Sequence, residues 1–141
     1  MTDDLDPRAF RLPKWANVYA LVSAVPFGLV LMVRPDWIMG LLGLAITPAA
    51  VLFARAYATS LFQVAIVCWV GTWRRDRRFL LGLSAANCLQ DILLTSYFIY
   101  ATQTGVLNGL GWQLAGSFAT HVIVHGLAAA SLLKRPVTPA A

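Results

Sequence analysis

Read by hydropathy, the chain falls into four long apolar runs separated by short stretches of charge, proline and glycine. About 20 consecutive apolar residues suffice to cross the hydrocarbon core of a bilayer. The first span covers residues 15–34. It carries no charge between Lys14 and Arg34, and Pro26 inside it marks a kink position. Residues 36–46 are apolar but too short to cross, which predicts an interfacial or re-entrant segment. Thr47 followed by Pro48 has the form of a helix N-cap with proline in the first turn. The second span then covers residues 49–73 and the third residues 79–103. Residues 104–111 hold three glycines and Asn108, which is turn chemistry. The fourth span covers residues 112–133. The expected fold is all-α: one integral membrane domain over residues 1–141, a bundle of four transmembrane helices.

Composition agrees. The chain is 59% hydrophobic and 12% charged, against about 45–50% and about 25% for a soluble domain. Two cysteines are too few for a disulfide scaffold, and the aromatic content is too high for a disordered chain. Charge adds orientation. Arg8, Arg11 and Lys14 precede the first span, Arg74, Arg75, Arg77 and Arg78 join the second to the third, and Lys134 and Arg135 follow the fourth. The opposite side holds only Arg34. The positive-inside rule then places both termini in the cytoplasm. Trp15, Trp69 and Trp73 fall near the inner boundary and Trp37 and Trp112 near the outer one, as an aromatic belt requires. The net charge of +5 therefore reflects topology, with anionic lipid headgroups as a further partner, and gives no reason to expect nucleic acid. No cleavable signal peptide is evident.

Polar residues within the spans recur at helical spacing. The second span carries Arg55, Thr59 and Gln63, with Tyr57 between them. The third carries Ser84, Asn87, Asp91 and Thr95, with Gln90 alongside, and the fourth carries Ser117, His121 and His125. Each set occupies one helix face. At about 1.5 Å per residue from the outer ends, Arg55 lies roughly 9 Å deep, His121 roughly 14 Å, Asp91 roughly 18 Å and His125 roughly 20 Å. The stripes overlap in depth, which predicts a polar pocket between the second, third and fourth spans, with Arg55 meeting Asp91. A plainer reading stays open: an Arg–Asp pair and interhelical hydroxyl or amide bonds can simply hold helices together.

The residue types suit acid–base chemistry. Asp91, His121 and His125 are the candidate proton donors and acceptors. Arg55, Tyr57, Thr59, Gln63, Asn87 and Gln90 are the candidate binding residues, of which Arg55, Gln63 and Asn87 would hold a carbonyl or developing oxyanion. A lipophilic small molecule such as a polyketide, terpenoid, sterol or quinone would enter from the bilayer and be isomerised, cyclised or hydrated. His121 and His125 share a helix face and would chelate a metal with Asp91 as third ligand, but H-x-x-x-H alone is not specific, and no metal or other cofactor is expected. Cys68 and Cys88 form no C-x-x-C pair. Gly82 with Ala86, and Gly126 with Ala130, read as close-packing positions.

The layout resembles the DoxX-like group of small four-helix bacterial membrane proteins. The likeness lies in Arg34-Pro35-Asp36, Leu42-Gly43, the Ala54-Arg55-Ala56-Tyr57-Ala58 start of the second span, the Trp-Arg-rich turn from Trp73 to Arg78, and Thr104-Gly105. It covers roughly residues 22–133 of the chain. The resemblance implies the fold and a bacterial cytoplasmic membrane. Arg55 matches an arginine that recurs in such proteins, whereas Asp91, His121 and His125 have no counterpart. Three functions remain open at this point: an acid–base enzyme or binding protein, an accessory or scaffold subunit in a homo-oligomer or larger membrane complex, and a proton or small-solute transporter.

Overall fold

The computed structural model describes residues 7–134. Asp3, Asp4, Asp6 and Arg135 lie outside the described residues. Within them are five helices and no strand: α1 (Pro7–Val33), α2 (Pro35–Leu41), α3 (Pro48–Gly71), α4 (Arg77–Gln103) and α5 (Leu110–Leu133). All but α2 are long and apolar enough to cross a membrane. At 24 to 27 residues each, they measure about 36 to 40 Å. The chain is a helical-bundle membrane protein.

The starts of α3 and α4 follow from capping chemistry. Thr47 Oγ1 accepts from the Ala50 N–H at 3.2 Å, with Pro48 in the first turn where no N–H is needed. Asp76 Oδ1 accepts from the Phe79 N–H at 2.9 Å, placing an anion at the positive end of α4. Helix α1 begins eight residues earlier than the hydropathy predicts, at Pro7 rather than residue 15. Three bases in this segment mask a buried face formed by Phe10, Pro13, Ala16, Asn17 and Ala20. Phe10 packs against Leu80 and Leu132, and Arg75 lies 5.8 Å over its ring. The helix runs on through both Pro13 and Pro26.

The helices associate as two close pairs, α1 with α3 and α4 with α5. Helix α1 also leans on α5, while α3 and α4 touch along only a thin seam. Small residues let the first pair approach: Ala24, Ala58 and Ala65 interleave with Leu31 and Leu61, and Gly28 faces the Phe62 ring. Gly71 admits Asn17, whose Nδ2 would lie 2.6 Å from any Cβ placed there. Of the pairs expected to pack closely, Gly126 faces Cys88 across the α4–α5 interface, whereas Gly82 faces nothing among the described residues.

The two ends of the bundle are closed differently. At the basic end, Phe10, Leu80 and Leu132 form an apolar cluster, and Arg77 Nε donates to the Leu132 carbonyl at 2.8 Å. At the other end the short helix α2 occupies the first part of the short apolar segment over residues 36–46, and ends in a turn at Gly43, whose φ of +77° favours glycine. Asn108 clips the two outer loops together. Its backbone N–H donates to the Leu42 carbonyl at 3.0 Å, and its Nδ2 donates to the Leu41 carbonyl at 2.7 Å. Asn108→Ala keeps the first bond and loses the second. A fall in stability of about 1 kcal/mol is expected, read as a lower unfolding temperature in detergent; an unchanged value would show that the clip is not structural. Arg34 and Asp36 form an ion pair at 3.0 Å beside α2. The Arg34 hydrogen bond holds the Asp36 carboxyl below the usual carboxylate range, but both groups are exposed and the pair is screened.

Candidate intramembrane site

A cavity of about 200 Å³ opens midway along the spans, where the two helix pairs meet. Helix α4 contributes Asn87, Gln90 and Asp91, and α5 contributes Leu114, Ser117, Phe118, His121 and His125. Helix α3 supplies only the apolar Leu61 and Val64. The remaining wall is α1, through Ala20, Ser23, Ala24 and Phe27. The cavity is not the pocket expected between the second, third and fourth spans: all four long helices line it, and its polar lining comes from α1, α4 and α5.

Asp91 is 8% exposed and lines this cavity without a hydrogen bond or ion pair to any described residue. His121 is held on both sides. Its Nδ1 lies 3.0 Å from the Ser117 carbonyl, which can only accept, so Nδ1 carries a proton. Its Nε2 lies 2.8 Å from Ser23 Oγ. That hydroxyl also lies 2.6 Å from the Tyr19 carbonyl. Two arrangements follow. With neutral His121, Ser23 donates to Nε2. With the imidazolium, Nε2–H donates to Ser23, whose own proton turns to the Tyr19 carbonyl. Both protonation states are fully hydrogen-bonded, and one hydroxyl rotation separates them. The ring is fixed further by Tyr19, with centroids 4.5 Å apart, and by Phe118 at 6.0 Å. His125 is 1% exposed, and neither ring nitrogen has a protein partner among the described residues. Asn87 donates from Nδ2 to Cys68 Sγ at 3.4 Å.

The other expected site residues lie elsewhere. Arg55, Thr59 and Gln63 face outward, and Arg55 does not meet Asp91. The Thr59 hydroxyl donates to the Arg55 carbonyl of its own helix at 3.1 Å. The reason is the competing face of α3: Ala58, Leu61, Ala65 and Cys68 are its buried residues, and close packing of small side chains on α1 fixes the rotation of the helix. Tyr57 is half-buried against the α1–α3 cluster and does not line the cavity. Among the described residues, no three His, Cys, Asp or Glu side chains converge to hold a metal ion, so Asp91 does not complete a metal set with His121 and His125.

Sequence reasoning missed Ser23 and Asn17. Ser23 is a single hydroxyl in an apolar run and forms no stripe. A usable signal was present: Ala16, Ala20, Ala24 and Gly28 repeat at four-residue spacing and are all buried, marking the face of α1 that enters the bundle. Below the cavity, Asn17 and Ser84 are fully buried with no protein partner for their side chains among the described residues, and the Phe10–Leu80–Leu132 cluster closes the bundle beneath them. Comparisons with family models, with curated proteins and with solved structures gave no match.

Without Arg55, no guanidinium or ammonium among the described residues lines the cavity. The lining can donate and accept protons through a carboxyl and two imidazoles, and can orient a polar atom through Asn87, Gln90 and Ser117. It has no fixed cation with which to hold an oxyanion.

Proposed function

We propose that this chain is an acid–base enzyme of the isomerase, cyclase or hydrolase type, acting on a lipophilic small molecule that enters from the bilayer. The observation that carries the reading is the placement of Asp91, His121 and His125 around one cavity, where Asp91 has no partner among the described residues. A carboxyl tied into an interhelical ion pair would be structural glue; an unpaired one facing a cavity is placed to exchange a proton with a bound molecule. In this reading His121 is the second proton carrier, and Ser23 is a positioning residue that serves both of its states. The apolar cluster at the basic end favours a site over a conduit through a single chain. The basic loop and the flanking positive charges support a cytoplasmic basic end, and the resemblance in layout to small bacterial membrane proteins points to a bacterial cytoplasmic membrane.

The test is isotopic. Purified protein incubated with a lipid extract in deuterated buffer is expected to incorporate deuterium at carbon into a lipophilic compound, read by mass spectrometry. Asp91→Asn, matched for yield and helix content, is expected to abolish the labelling. Equal labelling by wild type and variant would reject the acid–base reading. A second reading, as a subunit packed in a homo-oligomer or larger complex, draws on α4, where Gly82, Ala85, Ala86 and Leu89 form an outward face exposed among the described residues. Cross-linking through Gly82→Cys to another copy or another protein would favour it.

A further inference from the structure

We infer that the ligand of this cavity is a small lipophilic amine, held as its ammonium by the Asp91 carboxylate. The inference rests on the acid–base site proposed above and adds the charge and size of what that site takes.

The first argument is charge. Asp91 sits mid-span, nine-tenths buried, with no cation to pair with among the described residues. The basic residue nearest to serving it in the sequence, Arg55, faces out of the bundle. Nothing facing Asp91 from the neighbouring helices brings a fixed positive charge. Helix α1 presents the Ser23 hydroxyl, α3 presents Leu61 and Val64 with Tyr57 and Cys68 behind them, and α4 itself presents Asn87 and Gln90. Helix α5 presents His121 and His125, and both ring nitrogens of His121 are already engaged by Ser23 and the Ser117 carbonyl. A buried carboxylate is tolerated in a membrane interior when a cation neutralises it. Among the described residues no guanidinium or ammonium supplies one, neither imidazole is ion-paired with Asp91, and the cavity beside Asp91 has room for a cation.

The second argument is shape and surface. Aromatic rings at Phe27 and Phe118 form part of the wall, and ring faces attract a cation that has shed its water. A dry apolar cavity of about 150 Å³ takes up benzene. At about 200 Å³, this one admits a six-membered ring with a short basic arm. An amine also crosses the bilayer as its free base. In the site, the amine nitrogen gains the proton as the carboxyl O–H breaks, giving ammonium and carboxylate, and the net charge stays at zero throughout. An anionic or purely hydrocarbon ligand would leave the carboxyl unpaired.

The experiment compares N,N-dimethylbenzylamine with its carbon isostere, isobutylbenzene, by equilibrium dialysis of the isotopically labelled compounds against protein in detergent, with protein-free micelles as background. Wild type is expected to bind one amine per chain at least about tenfold more tightly than the isostere, a ratio equivalent to about 1.4 kcal/mol. Asp91→Asn is expected to erase that ratio, and Asp91→Glu and Arg55→Met to keep it. If Asp91→Asn does not fold, the ratio in wild type and in Asp91→Glu decides the matter. Equal binding of both compounds by wild type, or an amine preference that survives in Asp91→Asn, overturns the inference while the deuterium labelling still judges the acid–base reading. Binding of neither compound by folded protein also overturns it.

Discussion

His121→Phe is expected to lower deuterium incorporation by about 10²- to 10⁴-fold, the usual contribution of a positioned proton carrier. The substitution keeps an aromatic ring between Tyr19 and Phe118, which lie 4.5 and 6.0 Å from the imidazole, so packing is largely retained while both nitrogens are lost. Ser23→Ala is expected to act through His121. It leaves the Nδ1 bond to the Ser117 carbonyl intact and removes the partner of Nε2 in both protonation states. The loss of one hydrogen bond is worth about 1 kcal/mol, or five- to tenfold in rate, with a changed pH profile as the mark of a positioning role. Arg55→Met is expected to change nothing. That contrast separates the cavity from the polar stripe of α3, and a large loss in Arg55→Met with retained activity in His121→Phe would reverse the assignment. The measurement is the rate of label uptake at matched protein concentration, with circular dichroism as the control for folding.

Leu80→Ala carries the largest expected effect on stability. Leu80 is fully buried between Phe10 and Leu132 and fastens the start of α1, the start of α4 and the end of α5 at one point. Truncating a buried leucine costs about 2 to 5 kcal/mol, depending on how far the surroundings collapse. Within a bilayer the packing component of that cost survives, because a void forfeits dispersion contacts whatever the solvent. Leu93→Ala is the paired control: Leu93 is 62% exposed on the outer face of α4, so its truncation should cost little. Unfolding in mixed detergent micelles reads both, and equal losses would show that the Phe10–Leu80–Leu132 cluster is not a fastening.

The four spans were legible because crossing a bilayer imposes length and hydropathy on each segment separately, and neither depends on what the segment packs against. Thr47-Pro48 likewise declared its role locally. The site was legible only where polarity and burial coincided. Asn87, Asp91, His121 and His125 are legible as buried, cavity-lining residues because polar groups in a span stand out against an apolar background. Arg55, Thr59 and Gln63 form an equally regular stripe and were read the same way, yet periodicity says only that residues share a face. Which face turns inward on α3 is decided by Ala58, Ala65 and Gly28 meeting closely, and small residues carry no polarity signal. The same gap hid α1 from the site: Ser23 matters because of what α5 brings to it, a fact that resides in the packing of two helices 98 positions apart at the bond itself.

The thin seam between α3 and α4 has a consequence for how the molecule holds together. Each close pair is contiguous in sequence, α1 to α3 and then α4 to α5, with residues 72–76 as the only covalent link. The protein is therefore two hairpin-like halves docked face to face, and the cavity is their joint. A molecule that fills it and touches both halves acts as a crosspiece, so occupancy favours docking by mass action. Two fragments produced separately by interrupting the chain at that link would find each other more tightly in the presence of the molecule the cavity takes.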